Sequence, residues 1–136
     1  MKKHTFFSSL LLCFLVSCII RDLPDVDGMW QLKTIENKTG DIQTIDTVYY
    51  NFQSQRLFAY TQLNTLPMQS DSTLIIYGHV CFPAKDRMFI QMDSSQEGWF
   101  WMLPWQSQNI SYFIRKLTSK EMILENEGDI YRFIKF

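Results

Sequence analysis

From residue 28 onward the chain alternates apolar and polar residues in short runs, and clusters of Gly, Pro, Asn, Asp or Ser break those runs at roughly 8–12 residue intervals. No long helical period interrupts them. Such punctuation is compatible with an all-β domain built from hairpins between sequence neighbours, and an aromatic content of 15% also favours strands over helices.

The pattern predicts strands at Met29–Glu36, Asp46–Gln53, Arg56–Leu63, Thr73–Phe82, Arg87–Met92, Glu97–Leu103, Ile110–Leu117, Glu121–Glu125 and Asp129–Phe136. One of the last four is expected to be an irregular segment or an extension, giving eight or nine strands in all. Turn chemistry falls between them at Asn37–Asp41, Gln53–Gln55, Pro83–Asp86, Asp93–Gln96, Thr118–Lys120 and Asn126–Gly128. The longest gap, Asn64–Ser72, reads as a mobile loop at one mouth. An up-and-down barrel accommodates so many strands without leaving exposed edges, and a two-sheet β-sandwich is the competing architecture.

The N-terminus has a different character. Met1-Lys2-Lys3-His4 precedes an apolar stretch from Phe6 to Val16, broken only by Ser8 and Ser9. That stretch is shorter than the ~20 residues needed to span a bilayer, so it reads as a cleavable signal covering residues 1–17. Leu15-Val16-Ser17-Cys18 resembles a bacterial lipobox. The resemblance implies cleavage before Cys18, a diacylglycerol thioether on its sulfur and a further acyl chain on its new N-terminus, which together anchor a chain stably to a membrane. In bacterial lipoproteins the absence of Asp at the next position, here Ile19, fits outer-membrane sorting, with the periplasmic or surface face left open.

Residues 18–26 then read as a lipidated tether and 27–136 as the domain. Removing Lys2 and Lys3 from the 13 basic residues leaves 11 against 14 acidic ones, so the mature charge is −3 and nucleic acid is not expected as a partner. Loss of Cys13 with the signal and acylation of Cys18 predict a domain with no internal disulfide.

Gly28-Met29-Trp30 opens the first strand, and here the chain resembles the lipocalin-like, or calycin, barrels with their glycine-x-tryptophan entry. The closing stretches Ile114–Thr118, Met122–Leu124 and Tyr131–Phe136 are similar to those of small lipocalin-like lipoproteins of Bacteroidetes-type bacteria. This resemblance implies that Trp30 plugs the closed end of the barrel beside Gly28 and stacks on a cation from the last strand, Arg132 or Lys135. The C-terminal helix of larger lipocalins is missing, and eight strands leave an interior just wide enough for side chains or one small ligand.

Two functional readings follow. In the first, a small apolar or amphipathic ligand is sequestered without turnover, contacted by some of Tyr50, Phe52, Tyr60, Trp99, Trp101 and Trp105. In the second, the barrel is filled, and the stretch Glu97–Trp105, which holds three of the four tryptophans, docks onto another envelope protein. Catalysis is not expected. His79 and Cys81 sit two apart and share a strand face, yet His79 is the sole histidine after residue 17, so neither a metal site nor a thiol–histidine pair is complete. The carboxylates are dispersed, the glycines stand singly, and no cofactor or metal is implied.

Overall fold

A computed structural model describes residues 23–63 and 72–136. Eight strands follow one another: β1 (Gly28–Glu36), β2 (Ile42–Gln53), β3 (Leu57–Leu63), β4 (Thr73–Ala84), β5 (Arg87–Met92), β6 (Asn109–Leu117), β7 (Glu121–Asn126) and β8 (Asp129–Lys135). Each pairs antiparallel with its sequence neighbour, and β1 pairs with β8, which closes the barrel. The up-and-down barrel expected from the sequence is therefore present and the sandwich is not. Closure leaves no strand edge unpaired around the ring.

Alternation along the strands sends one parity inward. On β2, Val48, Tyr50 and Phe52 are buried, on β3 Phe58 and Tyr60, and on β8 Tyr131 and Phe133. The register slips between Leu32 and Thr34, between Cys81 and Ala84, and between Ile114 and Lys116. Such bulges add local twist, which bends strands into a ring. The bulge at Cys81–Ala84 also accommodates Pro83 inside β4, where a regular ladder would require its missing N–H.

One expected strand is absent. Glu97–Met102 lies instead within a 3₁₀ segment, Ser94–Met102, with Leu103 as its C-cap, in the connection from β5 to β6. β5 pairs directly with β6, so the closed ring has no place for another strand there. Asp93 caps the segment by accepting the Ser95 N–H. The Gln96 side-chain amide accepts from the Tyr77 N–H and donates to the Ile75 carbonyl. It thereby supplies to β4, beyond the end of β5, the hydrogen bonds a strand would have made.

The two ends of the barrel differ. The end where Leu23–Asp27 enters, with the turns at Ser54–Arg56, Lys85–Asp86 and Thr118–Lys120, is termed the base. The other end, with the turns at Asn37–Asp41 and Glu127–Gly128 and the 3₁₀ connection, is termed the mouth. The sequence places Val26 in a tether, but it is 0% exposed within the core and Leu23 packs against the same cluster. The packed domain thus begins before Asp27, because these residues cover the base. Asp27 also accepts the Gln55 N–H through Oδ1, holding a turn in which Ser54 and Gln55 both take a left-handed backbone without a glycine.

Cys81 is buried and disulfide-bonded, which corrects the expectation of no internal disulfide. It lies toward the base end of β4. The expected signal, Cys13, Cys18 and most of the Asn64–Ser72 loop lie outside the described residues.

Candidate ligand-binding site

The base is sealed by Trp30. Its indole Nε1 donates to the Val26 carbonyl at 2.8 Å, and the Lys135 ammonium stands 4.5 Å from its ring centroid. Lys135 Nζ also donates to the Asp27 carbonyl. Gly28 takes φ +118°, and a Cβ there would lie 2.5 Å from Lys135 Nζ. Glycine is thus required both by the backbone conformation and by the approach of the lysine.

The cation of this plug is Lys135 and not Arg132. Arg132 faces outward and sits 3.8 Å from Glu36. Parity on β8 carries the distinction: Tyr131, Phe133 and Lys135 share the inward face, while Arg132 lies on the opposite one.

Above the plug, the interior is lined with aromatic rings centred on Tyr50. Its ring lies 4.7 Å from Phe133, 5.2 Å from Phe58, 6.0 Å from Tyr60 and 6.4 Å from both Phe52 and Tyr112. The hydroxyls form a polar thread through this apolar packing. Tyr50 and Tyr112 share a 2.8 Å hydrogen bond, the Tyr131 ring stands edge-on to Tyr112 at 5.0 Å, and the Tyr60 hydroxyl donates to Gln62 Oε1 at 2.9 Å.

Desolvation is the main cause of a raised pKa at all four phenols. For Tyr131 the value is pushed up to about 12, with the Tyr112 hydrogen bond partly opposing the rise. Tyr50, Tyr60 and Tyr112 also move upward. At neutral pH the interior therefore presents protonated hydroxyls, and no charged side chain is fully buried among the described residues.

Trp105 closes this cluster from the mouth. Its ring stands edge-on to Tyr50 and to Tyr60, 6.1 Å from each. Its Nε1 is buried without a hydrogen-bond partner, and so is Oδ1 of Asn109 at the start of β6. Leaving a donor in that state costs ~1–3 kcal/mol, so an unpartnered indole N–H beside a tyrosine cluster marks a place where an acceptor would be stabilised.

Of the six residues expected around a ligand, Tyr50, Phe52, Tyr60 and Trp105 come together. Trp99 and Trp101 do not: they are 50% and 65% exposed on the 3₁₀ segment, which buries Phe100 and Leu103 instead. A strand would have put Trp99 and Trp101 on one face, but the tight 3₁₀ turn does not preserve that parity. Tyr112, Tyr131 and Gln62 are site residues that the sequence reading did not single out. The alternation of Ile110 with Tyr112, of Tyr131 with Phe133 and of Tyr60 with Gln62 carried the signal.

His79 and Cys81 share the outer face of β4, as their spacing implies, and His79 is exposed. No group of three or more metal-ligating side chains occurs among the described residues. Asp93 is held below the usual carboxylate range by its hydrogen bonds from Ser95, with a smaller attraction to His79. A half-open groove of about 540 Å³ runs over this part of the surface, with Met29, Leu57, Ala59, Ile75, Tyr77 and His79 among its lining. It lies outside the ring, on the outward parity of β1 to β4.

A closed eight-stranded meander, plugged at its entry by a glycine-x-tryptophan triplet and lined with rings, defines a lipocalin-like protein. The comparison with known families agrees: the chain belongs to the family of lipocalin-like domains, which matches residues 11–136. This fold commonly binds small hydrophobic ligands. Among solved structures the chain is similar to a lipocalin-like protein from Bacteroides uniformis, with 22% identity and a TM-score of 0.71 over 82% of this chain and 99% of that one. It is also similar to an uncharacterized protein from Bacteroides eggerthii, with 26% identity and a TM-score of 0.68 over 82% of this chain and all of the other. No curated protein matches the chain.

Proposed function

We propose that this chain is a cell-envelope lipoprotein, acylated on Cys18, whose barrel binds a small hydrophobic or amphipathic ligand without turnover. The observation that carries the binding is the buried, unpartnered N–H of Trp105 at the mouth of a tyrosine-lined interior. An acceptor oxygen on the ligand would satisfy that donor, while apolar burial supplies ~25 cal/mol per Å² of covered surface. Protonated phenols and the lack of a buried cation favour a ligand whose polar end is uncharged.

Tryptophan fluorescence, titrated with long-chain alcohols, fatty acids, haem-like compounds and bile-acid-like amphiphiles, tests this. Uncharged amphiphiles are expected to bind most tightly, and Trp105→Phe is expected to weaken them while the fold persists. No response across the panel would overturn the reading.

The anchor has its own test. Mass spectrometry of the membrane fraction is expected to find Cys18 carrying diacylglycerol, with sorting to the outer membrane. The other two cysteines of the chain are Cys13 and Cys18, so the Cys81 disulfide of the full chain and the cleaved form acylated on Cys18 are alternative states; recovery of Cys18 in a disulfide-linked peptide from that fraction would overturn the anchor.

The exposure of Trp99 and Trp101 favours a second reading, docking onto another envelope protein. Replacing both with serine is then expected to abolish recovery of that partner and to leave the barrel folded. Unchanged recovery would remove this option.

A further inference from the structure

The two ends of the barrel carry opposite charge. At the base, the segments 23–27, 54–57, 84–87, 116–121 and 135–136 hold six basic side chains, namely Arg56, Lys85, Arg87, Lys116, Lys120 and Lys135, against four acidic ones. At the mouth, the described segments 36–42, 92–109 and 126–129 hold six acidic side chains, Glu36, Asp41, Asp93, Glu97, Glu127 and Asp129, against Lys38 alone. Side-chain charge is therefore +2 at one end and −5 at the other. Glu121 and Lys116 pair at 3.3 Å and cancel, which leaves the excess of +2 unchanged. Arg56, Lys85, Arg87 and Lys120 are exposed, as is Phe136, at 75%, on the same rim.

The chain enters at this same end. Leu23 and Val26 pack into the base, and Cys18 precedes Leu23 by only five positions. Five residues reach at most ~18 Å when fully extended. The barrel is taller than that, since β4 has 12 residues, and ~3.3 Å per residue at a tilt of ~40° gives roughly 30 Å. An acyl anchor on Cys18 consequently holds the base near the headgroups and cannot reach around to the mouth.

We infer that the cationic base rests against an anionic phospholipid surface while the acidic mouth, with Trp99, Trp101 and Trp105, faces away from it. This rests on the proposed acylation of Cys18. Basic side chains near an anionic leaflet are attracted to it and acidic ones are repelled, so the charge difference opposes tipping the mouth toward the membrane. The ligand entrance is then presented to the aqueous side.

The test uses the protein as purified from the membrane fraction, on vesicles of phosphatidylcholine, alone or with about 30% phosphatidylglycerol, read by amide hydrogen exchange. Anionic lipid is expected to slow exchange severalfold in the base turns at Ser54–Arg56, Lys85–Asp86 and Thr118–Lys120, and to leave Asn37–Asp41 and Glu127–Gly128 unchanged. The double variant Arg56→Glu/Lys120→Glu is expected to lose that protection while it stays vesicle-bound, with strand amides still protected as the check on folding. A chain that fails to partition even onto phosphatidylcholine refutes the anchor. A chain that partitions but shows protected mouth turns, or base turns indifferent to anionic lipid, refutes the orientation alone.

Discussion

Replacing Lys135 with methionine keeps the aliphatic stem over Trp30 and removes the ammonium. In the folded protein that ammonium lies 4.5 Å from the ring centroid and donates to the Asp27 carbonyl. A cation–π contact is worth ~0.5–1 kcal/mol when exposed and ~2 when desolvated, and Lys135 is exposed, so the lower range applies. The Asp27 carbonyl is at the surface and regains a bond from water, so its loss adds little. The expected cost is about 1 kcal/mol, or a fall in Tm of roughly 4 °C for a domain of this size.

Arg132→Met is the matched control. Its pair with Glu36 spans 3.8 Å between side chains 45% and 33% exposed, a geometry worth no more than a few tenths of a kcal/mol. Urea denaturation of both variants, with Trp30→Leu and the Lys135→Met/Trp30→Leu double variant completing a cycle, gives the coupling directly. A coupling near 1 kcal/mol is expected between Lys135 and Trp30. A coupling indistinguishable from zero, or an Arg132→Met cost as large as that of Lys135→Met, would refute the assignment of the plug.

Gly28→Ala should cost about 2 kcal/mol, because φ +118° is strained for any Cβ and the added methyl also displaces the Lys135 ammonium; a denaturant midpoint equal to the parent's would contradict this. Tyr112→Phe should cost about 1–2 kcal/mol, since it strips the buried Tyr50 hydroxyl of its partner, and calorimetry reads the loss. Alkali supplies a further check. A phenol whose pKa is higher in the folded than in the unfolded chain binds its proton more tightly when folded, so its contribution to stability is constant below pH 10 and is lost as pH rises beyond it. Between pH 10 and about 12 Tyr131 alone accounts for roughly 3 kcal/mol of that fall, and Tyr131→Phe should reduce it; stability that stays level to pH 12 would count against the buried hydroxyl thread.

The division between local sequence and tertiary structure is clear at particular residues. Alternation and turn residues suffice for the eight strands, their meander order and the burial of Tyr50, Phe52 and Tyr60, because strand parity and hairpin chemistry act over a few neighbouring residues. Gly28-Met29-Trp30 likewise announces the plug from local sequence. The partner of Trp30 did not emerge until β8 was aligned beside β1, a contact between residues more than a hundred apart.

The stretch Glu97–Leu103 shows the reverse limit. Its composition suits a strand, but ring closure between β5 and β6 leaves no ladder for it, so it coils into a 3₁₀ segment and turns Trp99 and Trp101 outward. Likewise, whether Val26 is tether or core depends on the base it covers, and whether the Trp105 N–H finds a partner depends on the rings of Tyr50 and Tyr60 brought against it. Local sequence fixes which residues can form strands. Which of them meet, and which polar atoms are left without a partner, is decided when the ring closes, because both depend on contacts across it.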